Sequence, residues 1–254
     1  MKQIPNLFTL LNLIFGCFAI VFCLESGLVL SVDESGTQFF DLPQAITTAS
    51  LFIGLAAIVD FLDGFVARLF KATSEMGKQL DSLADVVSFG VAPSMIIYYF
   101  IKLSIAGTDN GLEQPWLWAM PAFILAGAAA WRLAKFNLDP GQAFGFSGVP
   151  TPAAGLLVAS LPLIYWGDAH EIVAPLFHNK WFWYALVIVL SALMVSKLPL
   201  MALKFKSFAV KDNLPKILLV VIAAASGIFL GWLAVPVVFA CYIAVSLFFK
   251  QKNA

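Results

Sequence analysis

Of the 254 residues, 61% are hydrophobic and only 12% are charged, whereas soluble domains are roughly half apolar and a quarter charged. A water-soluble globular domain is therefore excluded. Fifteen basic and fifteen acidic residues give a formal net charge of zero, so the broad basic face of a nucleic-acid binder is missing and no nucleic-acid partner is expected. Apolar stretches long enough to cross a bilayer recur throughout, separated by short polar connections. We expect an all-α, polytopic transmembrane helical bundle, one integral-membrane domain over residues 1–254.

In chain order the apolar stretches run near 7–31, 43–66, 79–101, 116–136, 150–167, 181–200, 215–231 and 233–249. The first lacks the basic n-region and small-residue cleavage site of an export signal, so it reads as a retained helix. The second ends in Asp60, Asp63 and Gly64, and the third opens on Asp81 and Asp85. The fourth ends in Arg132 and Lys135, and the turn-forming Gly148–Pro152 stretch leads into the fifth. The last two stretches abut at Gly231 and Trp232 with almost no loop, and a six-span count follows if some segments are interfacial. Cys17, Cys23 and Cys241 are odd in number, lie in apolar segments and read as packing residues. Gly227 and Gly231 have a small-xxx-small spacing that suits helix packing or a homodimer contact.

Charge distribution orients the bundle. With the N-terminus in the cytoplasm, Lys2, Arg68, Lys71, Lys78, Arg132, Lys135, Lys197, Lys204, Lys206, Lys211, Lys216, Lys250 and Lys252 lie inside, and only Lys102 and Lys180 lie outside. Asp33, Glu34, Asp41, Asp109, Glu113, Asp168 and Glu171 fall in the outer loops. The positive-inside rule then puts both termini in the cytoplasm. The basic run from Lys197 to Lys216 also suits attraction to anionic headgroups. His170 and His178, eight apart in an outer loop, read as solvated surface.

The chemistry is concentrated in four acids. Asp60 and Asp63 are three apart, Asp81 and Asp85 four apart, so each pair shares a helix face. A short connection lets the pairs meet across an antiparallel hairpin. Pro43 to Asp60 spans 17 residues, or about 26 Å of helix, nearly the ~30 Å hydrocarbon thickness, so the acids belong just inside the cytoplasmic boundary. Burying even one aspartate at the bilayer centre costs about 2.5–3.5 kcal/mol. Arg68 and Lys78 cannot balance four carboxylates, whereas one or two hard divalent ions, Mg²⁺, Mn²⁺ or Ca²⁺, can. Gly64, Ala67 and Gly77 leave room beside the acids for a base or phosphate, or serve close helix packing.

Written out, Asp60-x2-Asp63-Gly64-x2-Ala67-Arg68-x8-Gly77-x3-Asp81-x3-Asp85 resembles the signature of the CDP-alcohol phosphatidyltransferases. That resemblance implies an enzyme in which a CDP-activated lipid places its pyrophosphate at divalent metal and an alcohol displaces CMP. By it, Asp60, Asp63 and Asp81 are metal ligands, and Asp85 completes the site and takes the proton of the attacking hydroxyl. Gly64, Ala67, Arg68, Gly77 and Ser82 then form the CDP-lipid pocket. Two further stretches, Ser82-Leu83-Ala84-Asp85-Val86-Val87-Ser88-Phe89-Gly90-Val91-Ala92-Pro93 and Arg132-Leu133-Ala134-Lys135-Phe136-Asn137 followed by Phe146-Ser147-Gly148-Val149-Pro150-Thr151-Pro152, resemble the membrane-type phosphatidylserine synthases of that family. They imply CDP-diacylglycerol as donor, L-serine as acceptor and a site facing the cytoplasm among membrane lipids. Arg132, Lys135 and Asn137 are the acceptor-binding candidates, with simple interfacial anchoring the other reading of the two basic residues.

Other acceptors within the same chemistry are glycerol 3-phosphate, inositol or its phosphate, and choline. Intramembrane prenyltransferases also hold diphosphate with aspartates, but in two motifs far apart rather than within 26 residues. A divalent-cation transporter would need polar groups continuing to the far side, where these helices are almost wholly apolar.

Overall fold

The computed structural model describes residues 4–32, 36, 38–69, 74–108, 111–138, 146–201 and 210–248, and for some of these, Ala67, Arg68 and Lys211 among them, the backbone alone. Lys2, Asp33, Glu34, Lys71, Asp109, Lys204, Lys206, Lys250 and Lys252, which carry part of the orientation reading, lie outside the described residues.

The chain begins with α1, Ile4–Glu25. Its end comes earlier than the apolar stretch suggests, because Ser26 Oγ donates to the Phe22 carbonyl at 2.6 Å and satisfies a terminal acceptor. Residues Val29–Val32 then form β1, paired antiparallel with β2, Gln38–Asp41, Val29 opposite Asp41. A second small antiparallel pair joins β3, Phe146–Ser147, to β4, Pro199–Leu200, so the stretch expected to run to residue 200 leaves the helix after Val195.

Helix α2, Ile46–Leu69, buries Ile46, Ala49, Ile53, Ala56 and Val59, one helical face that carries on into buried Asp63. Helix α3, Glu75–Asp85, is capped by Ser74, whose hydroxyl accepts from the Gly77 amide at 3.0 Å. It passes without a break through a π-helical turn, Val86–Val91, into α4, Ala92–Ala106. A 3₁₀ segment, Trp116–Phe123, leads into α5, Ile124–Leu138. Then come α6, Thr151–Tyr165; α7, His170–Phe177; α8, Lys180–Val195; α9, Val210–Leu230; and α10, Ala234–Phe248.

By length and composition five helical runs can cross a membrane, and six if α7 and α8, bent by 85°, make one broken span. The eight expected spans do not each have a long run of their own: α6 has only 15 residues, α8 has 16 and reaches span length only with α7, and α9 and α10 merge into one run of 36. At 1.5 Å per residue that run would measure about 54 Å if straight, against a hydrocarbon core of about 30 Å. It is not straight: Gly231 has φ 53°, and α9 and α10 pack on each other as a hairpin. Gly231 is thus the corner of that hairpin rather than a member of a helical face, and a Cβ added at Gly227 would meet nothing within 4 Å.

The π-helical turn is where the helices converge. A Cβ on Gly16 of α1 would lie 2.8 Å from Ser88 Cα, one on Gly90 would lie 3.1 Å from Ala129 Cβ of α5, and one on Gly155 of α6 would lie 2.9 Å from Phe89 Cβ. Ser88 Oγ also donates to the Asn12 carbonyl at 3.0 Å. At the other end of the bundle Phe100 stacks on Trp183 at 4.6 Å, and the Tyr165 hydroxyl donates to Asp41 at 2.7 Å, with His178 3.4 Å away. Both histidine rings pack against Tyr165, His170 half-buried and His178 still exposed as the sequence suggests. Large side chains such as Leu7, Ile14, Phe18, Ile58, Phe61 and Phe229 point outward, as a chain solvated by lipid requires.

Candidate metal centre

Helices α2 and α3 lead from opposite directions to one end of the bundle, and their acids meet there. Asp60, Asp81 and Asp85 each bring a carboxylate oxygen within 4.8 Å of the others. Asp85 is 6% exposed, and Asp60 and Asp81 are half-buried. Three carboxylates this close and this dry repel one another unless a cation sits among them. The donors are all hard oxygens, which suits a divalent ion of the Mg²⁺ or Mn²⁺ kind. Asp63 lies on the same face of α2, but its carboxylate accepts a hydrogen bond from Thr9 of α1. The structure thus brings three of the four acids into one cluster and holds the fourth beside it against α1.

Helix α1 supplies a part of the site that the acidic motif does not announce. Asn12 is fully buried; its Nδ2 donates to Asp85 Oδ1 at 3.3 Å, while its own Oδ1 has no partner among the described residues. Thr9 orients Asp63, and Asn6 Oδ1 lies 3.0 Å from where a Gly77 Cβ would be, so a side chain at Gly77 would press on α1. The sequence signal for this stripe is Asn6, Thr9 and Asn12, polar residues every third position in an otherwise apolar helix.

The cation facing the acids comes from α5. Arg132 is 8% exposed and acts electrostatically on Asp85. Its Nη1 donates to Thr151 Oγ1 at the start of α6, at 3.2 Å, and its Nε has no partner among the described residues. Lys135, one turn on, is exposed and lines a small cleft with Arg132, Phe136 and Ser196. Asn137 is tied to α3 instead: its Nδ2 donates to Ser82 Oγ at 2.8 Å, and its carbonyl accepts from Lys78 at 3.2 Å. Ser82 in turn donates to the Lys78 carbonyl at 3.2 Å. Lys78 therefore points at the end of α5 rather than at the carboxylates. Gly64 lies on α2 one residue past Asp63, and the side chains of Ala67 and Arg68 lie outside the described residues.

Turn geometry completes the site. Gly148 has φ 76°, and a Cβ there would lie 2.5 Å from the Met194 carbonyl, so the turn into α6 closes against the end of α8 only with glycine. That closure sets Thr151 under Arg132. An acid cluster, a buried guanidinium beside it and a lipid-facing exterior together suit anionic, phosphate-bearing substrates that arrive from a membrane.

Comparison with known proteins agrees with this chemistry. The chain is 30% identical over 221 residues to the CDP-diacylglycerol–serine O-phosphatidyltransferase of Helicobacter pylori, covering 86% of this chain and 78% of that protein. It is 30% identical over 254 residues to the protein of the same name from Mycobacterium tuberculosis, covering 96% and 76%. With the protein of that name from Bacillus subtilis it shares 37% identity over 120 residues, 47% of this chain and 63% of the relative. The profile of the CDP-alcohol phosphatidyltransferases matches residues 2–181, a stretch that holds every acid of the cluster together with Asn12 and Arg132, and the chain belongs to that family.

Proposed function

We propose that this protein transfers a phosphatidyl group from CDP-diacylglycerol to the hydroxyl of L-serine, releasing CMP and forming phosphatidylserine. The observation that carries the reading is the buried cluster of Asp60, Asp81 and Asp85 with Arg132 facing it, in a chain similar to enzymes named for that reaction. In this reading the serine oxygen bonds to the phosphatidyl phosphorus as the bond to the CMP oxygen breaks. Asp85 accepts the hydroxyl proton, with Asn12 fixing the rotamer of its carboxylate. A divalent metal, Mg²⁺ or Mn²⁺, would when bound at these acids supply charge neutralisation for the diphosphate and the leaving CMP. Asp60, Asp81 and Asp85 would hold it, with Asp63, oriented by Thr9 on the same face of α2, as the fourth ligand.

Arg132 is the group for the serine carboxylate or the substrate phosphate, because its Nε is buried and its other face is braced by Thr151. Lys135, exposed at the same end, guides anions toward it. Gly64, Ala67, Arg68, Gly77 and Ser82 flank the acids on the nucleotide side. The site faces the cytoplasm with both termini there, and the chain crosses eight times. The eight apolar stretches correspond one to one with α1, α2, the α3–α4 rod, the 3₁₀–α5 run, α6, α8, α9 and α10, which supports that count.

The test is turnover of CDP-diacylglycerol by purified protein with Mn²⁺ or Mg²⁺ and serine, glycerol 3-phosphate, inositol, inositol phosphate or choline offered singly. Serine-dependent release of CMP with formation of phosphatidylserine is expected. Turnover with another alcohol and none with serine would overturn the assignment of the acceptor.

A further inference from the structure

A serine inside a helix usually donates to a carbonyl of its own helix three or four residues back, as Ser82, Ser94, Ser104, Ser160 and Ser226 do. Ser88 departs from that pattern. Fully buried, it donates across to α1, to the Asn12 carbonyl at 3.0 Å. Two features permit the crossing. Ser88 lies in the π-helical turn Val86–Val91, at whose end the Ala92 amide bonds five residues back to the Val87 carbonyl, a wider turn than that of an α-helix. Gly16 of α1 has no side chain to stand in the way, since a Cβ there would lie 2.8 Å from the Ser88 Cα.

Ser88 and Asp85 are three residues apart and reach the same residue of α1. Ser88 holds the main chain of Asn12, and the side chain of Asn12 holds Asp85, Nδ2 to Oδ1 at 3.3 Å. The usual range for such a bond is about 2.7–3.2 Å, so a slide of α1 along its axis by about half an ångström is enough to lose it.

We propose that Ser88 is a positioning residue for the transfer: it fixes the axial register of α1 and, through Asn12, holds the Asp85 carboxylate in its working rotamer. The proposal rests on the role given to Asp85 above. It gives the π-helical turn a part in the chemistry, as the element that turns a serine out of its own helix and onto the neighbour that orients the base.

A double-mutant cycle with Asn12→Leu tests it, because a residue that acts through the Asn12 amide has nothing to act on once that amide is gone. Ser88→Ala alone is expected to lower kcat about fivefold, with KM for CDP-diacylglycerol and for serine changed by less than about twofold. In the Asn12→Leu background the same substitution is expected to change kcat by less than about twofold. Equal losses in the two backgrounds, as a general packing defect would give, or an unchanged kcat in the single variant, would overturn the proposal. Ser88→Cys, which fills the space with a much weaker donor, takes the place of the alanine variant if that one does not purify as a folded species, with the same outcomes expected. The cycle is also read without turnover, from the Mn²⁺ concentration that half-saturates the rise in unfolding temperature. With Asp85 among the metal ligands, each single variant is expected to need about threefold more Mn²⁺, and the double variant no more than Asn12→Leu. Shifts that add in the double variant sink the proposal. This second readout involves no acceptor, so it is decided separately from the assignment of serine.

Discussion

Replacing Asn12 with leucine isolates what α1 contributes to the acid cluster. The two side chains are similar in size, so little cavity opens, and the 3.0 Å bond from Ser88 Oγ to the Asn12 backbone carbonyl survives. What is lost is the 3.3 Å donation from Nδ2 to Asp85 Oδ1 at a position with no exposure. A hydrogen bond to a charged group is worth about 1.5–3 kcal/mol, and at this length the lower figure applies. At ~1.36 kcal/mol per decade of rate, kcat should fall about tenfold. Stability should move much less, because leucine also removes Oδ1, a buried acceptor without a partner among the described residues. The assay is steady-state phosphatidylserine formation across a Mn²⁺ titration, set beside thermal unfolding in the same detergent. A fall in kcat with near-constant unfolding temperature is expected. Unchanged kcat would refute the assignment of Asn12 as the residue that positions Asp85.

Asp81→Asn should abolish metal-dependent turnover while the protein still inserts and purifies as a folded species; full activity would remove Asp81 from the metal set. Chelation by EDTA should stop turnover by the unmodified protein, and added Mn²⁺ or Mg²⁺ should restore it. Arg132→Gln should raise KM for serine by more than tenfold if a charged hydrogen bond worth about 1.5–3 kcal/mol is lost, and Lys135→Gln should do less, since Lys135 is exposed. Gly155→Ala would put a Cβ 3.0 Å from the Phe89 Cα and 3.1 Å from its carbonyl oxygen. Backbone cannot give way there as a flexible side chain can, so a loss of about 1–3 kcal/mol is expected from overpacking, read as a lower unfolding temperature. Gly127→Ala, with nothing within 4 Å of the new methyl, is the neutral control.

Much of the site is legible in one dimension because its spacing rules are local. Acids three and four apart share a helix face by the geometry of the helix alone, and a short connection between two such helices brings the faces together. The same locality explains the helices themselves, since long apolar runs in lipid have few alternatives to satisfying their backbone internally. Helix ends are harder to read. Ser26 and the small strand pairs end α1 and α8 before their apolar runs are exhausted, because hydrogen-bond partners outside the helix decide where it stops.

What the sequence by itself determined is the membrane setting, the acid pairs and, through their interleaved glycines, the family. Tertiary structure decided which groups face which. It drew Asp60, Asp81 and Asp85 together while giving Asp63 to Thr9, brought Arg132 rather than Lys78 to the acids, and turned Lys78 toward Asn137. Those choices depend on how α1, α5 and α6 seat against the π-helical turn through Gly16, Gly90 and Gly155. Contacts between helices distant in sequence follow no local period. The partner of a buried charge is therefore settled only once the bundle has packed.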